Sequence, residues 1–246
     1  MKRLVKVFFL LLFIGVIFSF VGLRSMANGS DNNLFNQKYR AMFDKYPLAR
    51  DILGLHFDGD GRFDYLDRSK SKLWVEIDTV YGTEIPQASL DLLAEKIKSS
   101  TGKDVVYYVS DKEIPAKQIV TQDDVKKLVS NYKNFHPNDG AYLYLLFLQS
   151  YEPDPLLLGS TYQEDGVILY DQALKDLTKA SPETYPQYVE STILHEFGHQ
   201  LGLPHNEQKN CLMNSHADTN NVVRETTKSV IVDFCDYEKK LIQSML

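Results

Sequence analysis

Residues 195–205 read His-Glu-Phe-Gly-His-Gln-Leu-Gly-Leu-Pro-His. His195 and His199 stand four apart, so on a helix both imidazoles leave the same face one turn apart and converge on one ion. Glu196, beside the first of them, reaches a water on that ion without ligating it. Gly202 accepts the positive φ that ends a helix and turns the chain sharply. That turn swings His205 back as a third ligand. Three neutral imidazoles suit one Zn²⁺ ion and leave a coordination position open, which marks a catalytic rather than a structural site. The bland alternative is a helix whose histidines are satisfied by hydrogen bonds. It does not explain why three of the six histidines gather here around a glutamate.

Around this stretch the chain alternates strands and helices. Residues 73–80, Leu-Trp-Val-Glu-Ile-Asp-Thr-Val, alternate apolar and polar side chains, as a strand with one wet face does. On that pattern Glu76 and Asp78 face water. Ser89 opens a helix with Leu90, Leu93, Ala94 and Ile97 on one face, and Gly102 ends it. Val105 to Val109 is a strand. Thr121 caps a helix to about Tyr132, with Asp123 and Asp124 in its first turn. The apolar run Ala141 to Leu148 marks a central strand covered on both sides. Gly166 to Tyr170 is a further short strand, and Pro186 lies just ahead of the long helix carrying the motif. A last helix, Asp236 to Leu246, places Tyr237, Leu241 and Met245 on one face. The expected architecture is α/β (α+β), with a twisted, largely parallel mixed sheet.

Residues 195–213 resemble the metzincin zinc endopeptidases. Met213 follows His205 by eight residues, and within the metzincins this spacing looks most like the matrixin (matrix metalloprotease) branch. The resemblance implies a zincin catalytic domain in which Leu212-Met213 form the Met-turn beneath the zinc and residues 236–246 form the closing helix. It implies a peptide or protein substrate, lying antiparallel to an edge strand. The segment from Gly159 to Tyr170 is the candidate, with Gly166–Tyr170 as its core. Several matrixin features are missing. No His lies between Tyr151 and Pro186 to build a structural zinc site, and both cysteines follow the motif, so no propeptide thiol is present. Ser215 stands where an astacin-type tyrosine ligand would be. Cys211 and Cys235 are similar in placement to cysteines of the archaemetzincins, although the paired Cys-x-x-Cys of that family is absent. Two readings therefore stand beside the endopeptidase: an archaemetzincin-like aminopeptidase and a non-catalytic zinc-binding cell-surface module. The intact Glu196 argues against the second.

The 246 residues carry 27 basic and 33 acidic side chains, a net charge of −6. That balance excludes the basic face a nucleic-acid partner requires. Charge and aromatic content exclude a disordered tail, and two cysteines exclude a disulfide-built scaffold. The first 27 residues stand apart. Lys2, Arg3 and Lys6 precede an uncharged apolar run, residues 7–23, and Ser25-Met26-Ala27 offers small residues at −3 and −1 of a signal peptidase cut. The segment is a signal peptide or an N-terminal membrane anchor, and the protein works outside the cytoplasmic membrane, secreted or anchored there. Without these residues, which hold four bases and no acid, 23 bases face 33 acids, a net −10. The division expected is 1–27 as that segment, 28–71 as an extension that includes a helix near Leu34–Tyr46, and 72–246 as the peptidase domain.

Two further features are chemical candidates. Asp58, Asp60, Asp64 and Asp67, interleaved with Gly59 and Gly61, resemble part of a Ca²⁺ loop, though His56 stands where the first aspartate belongs. A solvated acidic turn accounts for them equally well. Cys211 and Cys235 are positioned to pair outside the cytoplasm, with free buried thiols or a second metal site as the alternatives. Tyr107, Tyr108, Tyr142 and Tyr144 read as packing residues, and His136 and His216 as isolated surface or capping histidines.

Overall fold

A computed structural model describes residues 2–29, 33–80, 82–83, 85–112, 114–135, 139–214 and 230–245. The chain forms two compact units, Met1–His56 and Phe57–Leu246. His136, Ser215 and His216 lie outside the described residues.

The first unit opens with helix α1 (Lys2–Ala27), of which Val5–Ala27 is long and apolar enough to cross a membrane. Three short helices follow: α2 (Leu34–Lys38), α3 (Arg40–Asp44) and α4 (Pro47–Leu53). The single helix expected over Leu34–Tyr46 is thus two, separated at Tyr39, and Pro47 opens the next because its missing N–H costs nothing at a helix start. Phe35, Leu53 and Leu55 bury Ala27 completely. Arg40 Nη1 donates to the Ala27 carbonyl at 2.7 Å, and Asn28 Nδ2 donates to that of Leu53 at 2.8 Å.

In the second unit, α5 (Arg62–Leu66) precedes β1 (Lys72–Thr79), α6 (Gln87–Thr101) and β2 (Asp104–Val109). Then come α7 (Gln122–Tyr132), β3 (Ala141–Leu148), β4 (Gly159–Tyr162) and β5 (Gly166–Tyr170). Helices α8 (Asp171–Leu177), α9 (Tyr185–Gln200) and α10 (Asp236–Ser244) complete it. The strands form one sheet in the order β2-β1-β3-β5-β4, parallel except for β4, which pairs antiparallel with β5 (Gly159 opposite Leu169, Tyr162 opposite Gly166). This is the mixed α/β architecture expected from the sequence.

The period of two along each strand builds the two faces. Leu73, Val75, Ile77, Leu143, Leu145 and Phe147 point to the core shared with α6 and α9. Tyr144, Leu146, Leu148 and Ile168 point to the opposite core, closed by Val125 and Val129 of α7. Ile193, Leu194 and Phe197 of α9 are wholly buried, each side chain contributing about 1.5–3 kcal/mol. Helix α9 is therefore held rigidly under the sheet. Helix α7 opens with the capping box: Thr121 accepts from the Asp124 N–H, and Asp124 accepts from the Thr121 N–H.

Two expectations need correction. Glu76 and Asp78 do not face water: both are fully buried, because β1 is an interior strand covered on both sides. Their carboxylates accept hydrogen bonds from the Tyr142 and Tyr144 hydroxyls on β3. Burial, reinforced by these carboxylates, pushes both hydroxyls far above the usual tyrosine range. Nor is Gly166–Tyr170 an edge. Strand β5 lies between β3 and β4, and the edge on this side of the sheet is Gly159–Tyr162.

Candidate active site

Helix α9 carries His195, Glu196 and His199 on its last two turns, and Gly202, at φ +84°, reverses the chain beyond it. The reversal brings His205 back over the helix. His205 Nε2 lies 3.2 Å from His195 Nε2 and 3.1 Å from His199 Nε2. A tetrahedral ion with metal–nitrogen bonds of about 2.0–2.1 Å would space its ligands by roughly 3.3 Å, so the three nitrogens fit one zinc ion. The protons sit elsewhere: His195 Nδ1 bonds the Leu212 carbonyl at 2.7 Å and His199 Nδ1 that of Leu203 at 3.0 Å. Carbonyl oxygens accept only, so Nδ1 carries the hydrogen and Nε2 keeps its lone pair for a metal. With the His205 Nε2 beside them, these two lone pairs meet at one point, an arrangement suited to a cation between the rings.

Glu196 is buried, directly beneath the edge strand. A Cβ at Gly159 would lie 3.2 Å from Glu196 Cγ and 2.6 Å from Thr192 Cγ2, so β4 approaches α9 this closely because residue 159 has no side chain. Gln200 ties the far end of β4 down, with Nε2 donating to the carbonyls of Gln163 at 2.9 Å and Gly166 at 2.7 Å. Between β4 and the helix runs a cleft of about 590 Å³, lined by Gly159, Thr161, Glu196, His199 and His205, with Asp58 also on its wall.

Met213 is fully buried beneath α9, and a Cβ at Gly198 would overlap its sulfur. The Leu212–Met213 turn is fixed by Glu238, a residue of α10 that the motif does not announce. Its carboxylate accepts the N–H groups of Met213 (2.7 Å), Leu212 (3.2 Å) and Cys235 (2.9 Å), and Asn206 Nδ2 at 3.0 Å. Cys211 and Cys235 are joined by a disulfide that ties this turn to the start of α10. Glu238 shows in the sequence as the third helical residue after Cys235, a capping-box position.

The four aspartates considered for calcium form no ion-holding cluster of three among the described residues. Asp60 accepts the Phe57 N–H, Asp64 pairs with Lys70 at 2.8 Å, and Asp67 accepts the Ser69 N–H. Helix α5 begins right after Gly61 and carries Asp64 away from a common centre. Asp58 stays exposed at the cleft.

Residues 155–242 match the description of peptidase family M54. The chain is similar in fold to archaemetzincin from Methanopyrus kandleri, with 20% identity and a TM-score of 0.51 over 71% of this chain and 96% of that one. Archaemetzincin from Archaeoglobus fulgidus, crystallised with malonate, gives 18% identity and a TM-score of 0.44 over 71% and 99%. No curated protein matches the sequence. The match is to M54 and covers residues 155–242; the likeness to the matrixin branch that the motif suggested is not shown by it. Fold, family match and site together make the chain a zinc metallopeptidase.

Proposed function

We propose that the chain is an archaemetzincin-like peptidase, with zinc held by His195, His199 and His205 and Glu196 as general base. The carrying observation is the convergence of three imidazole Nε2 atoms within 4.8 Å of one another beside a buried glutamate in an open cleft. Zinc bound there supplies a Lewis acid that polarises the scissile carbonyl and acidifies the attacking water. Glu196 would serve as the base for the attacking water and as the proton donor to the leaving amine. The free edge of β4, Gly159–Tyr162, offers main-chain hydrogen bonds to an extended substrate lying antiparallel to it. Met213 and the turn held by Glu238 keep His195 aimed.

The M54 match supports the aminopeptidase reading over the endopeptidase one. Cleavage positions decide between them. The full chain, in detergent and with its zinc content measured, is incubated with a peptide mixture and the products are read by mass spectrometry. Products shortened stepwise from the amino terminus support the aminopeptidase, and internal cuts the endopeptidase. No cleavage by protein holding one zinc would overturn both.

The first unit is read as a retained membrane anchor on the outer face of the cytoplasmic membrane, ahead of the peptidase domain. What supports retention is that the apolar helix is built into the folded unit: Ala27 is helical and buried among Phe35, Leu53 and Leu55, and Arg40 donates to its carbonyl. Amino-terminal sequencing of the protein from membranes tests this. A start at Asn28 would contradict it.

A further inference from the structure

Asp58 takes no part in the reaction described above, yet it stands in the same cleft. The loop that carries it, residues 57–61, is fastened at both flanks. The Phe57 N–H donates to Asp60 Oδ2 at 2.9 Å, and Arg62 Nη1 donates to the Gly59 carbonyl at 2.8 Å. Below, Gly59 (φ +80°) rests on the end of α9: a Cβ there would lie 3.2 Å from Gly202 Cα and 3.4 Å from the His199 oxygen. Above, Gly61 lies so close to the Glu164 carbonyl that a Cβ would overlap it, and the Tyr65 hydroxyl donates to the same oxygen at 3.3 Å. Glu164 belongs to the turn between β4 and β5. The loop therefore runs from the floor of the cleft to its roof at the Tyr162 end of the edge strand.

Strand direction says which end of a substrate meets it. A peptide antiparallel to β4 passes Gly159 with its carboxyl-terminal part and points its amino terminus toward Tyr162 and the turn beyond. There the loop spans from α9 to the turn after β4, packed at Gly59 and Gly61 without space for a methyl group. An amino terminus ending there meets the exposed Asp58 carboxylate, which has no hydrogen bond or ion pair among the described residues. We propose that Asp58 binds the α-ammonium group of the substrate, so that this peptidase selects peptides with a free amino terminus. The proposal rests on the peptidase reading given above and deepens it. A charge-assisted hydrogen bond of this kind is worth about 10- to 100-fold in affinity.

The test compares matched peptides with free and acetylated amino termini, using the full zinc-loaded chain in detergent. The wild type should favour the free amine by about 10- to 100-fold in kcat/KM. Asp58→Asn should bring that ratio close to one, chiefly through KM, whereas Asp64→Asn, altering the aspartate paired with Lys70, should leave it intact. A second readout is independent of turnover: in the Glu196→Gln background, adding Asp58→Asn should weaken binding of the free-amine peptide about tenfold and leave the acetylated peptide unaffected. A wild-type ratio near one, an unchanged ratio in Asp58→Asn, or full recovery when an acetylated peptide carries an amino-terminal lysine would each overturn the proposal. If zinc-loaded wild type cleaves no peptide, the peptidase reading fails, and the binding comparison still decides the role of Asp58.

Discussion

Glu238 accepts the backbone N–H of Met213 at 2.7 Å and so fixes, from helix α10, the turn on which His195 rests. The same carboxylate holds the Leu212 N–H, and the Leu212 carbonyl receives His195 Nδ1. The aim of the first imidazole therefore depends, through one peptide unit, on a buried acid some forty residues later in the chain. Glu238→Ala leaves three backbone donors and the Asn206 amide without their acceptor. The expected cost is about 3 kcal/mol in stability, with a 10- to 100-fold loss of zinc affinity. Glu238→Gln keeps one acceptor oxygen and should lose less of both. Urea midpoints and chelator competition measure the two effects; zinc affinity unchanged in Glu238→Ala would contradict the linkage.

The contact between β4 and α9 makes a second prediction. In Gly159→Ala the new methyl meets Thr192 Cγ2 and Glu196 Cγ, which lifts the edge strand from the helix. Overpacking of this kind costs about 1–3 kcal/mol, and turnover should fall because Glu196 moves with it. Thr192→Ser removes the methyl that is struck. Combined with Gly159→Ala it should recover part of both losses, and strict additivity would count against the steric explanation.

The Cys211–Cys235 bond closes a loop that includes the Leu212–Met213 turn, with a sequence separation of 24. The chain-entropy account gives such a link roughly 3 kcal/mol. Intact mass should show no alkylation before reduction and two groups after it. Reduced protein should unfold at lower urea concentration.

Much of this was legible in the sequence because the signals are local. The period-two runs locate β1 and β3, Thr121 announces the cap of α7, and the spacing of His195, His199 and His205 draws the site itself. What was missed depends on neighbours distant in sequence. The alternation of β1 reads as one wet face, but strands on both sides and tyrosines on β3 turn Glu76 and Asp78 into buried acceptors. Which of the two strands is the edge follows from strand order, and no property of Gly166–Tyr170 alone reveals it. Asp58 looked like an ion ligand because its neighbours in sequence are acidic. Its place in the cleft comes from the contacts Gly59 and Gly61 make with α9 and Glu164.

Acid should weaken the α7 cap in a defined window. The Asp124 carboxyl is held well below the usual carboxylate range, first by Lys117 and then by the Thr121 backbone and hydroxyl. Its folded pKa is thus below the unfolded value of about 3.9. The contribution is complete above that value and is lost as pH falls through the folded pKa. The stability gap between wild type and Asp124→Asn should be constant from pH 7 to 5 and shrink below pH 4, as followed by urea unfolding. A gap independent of pH would show that ionisation of Asp124 plays no part.

The central claim is that His195, His199 and His205 hold zinc while Glu196 moves the proton. The most direct measurement determines bound metal and peptide hydrolysis in the same samples of wild type and Glu196→Gln. One zinc per chain is expected in both proteins, with hydrolysis lower in Glu196→Gln by about 10²- to 10⁴-fold. Undiminished hydrolysis in zinc-loaded Glu196→Gln, or a wild type that cleaves peptides without bound metal, would contradict it.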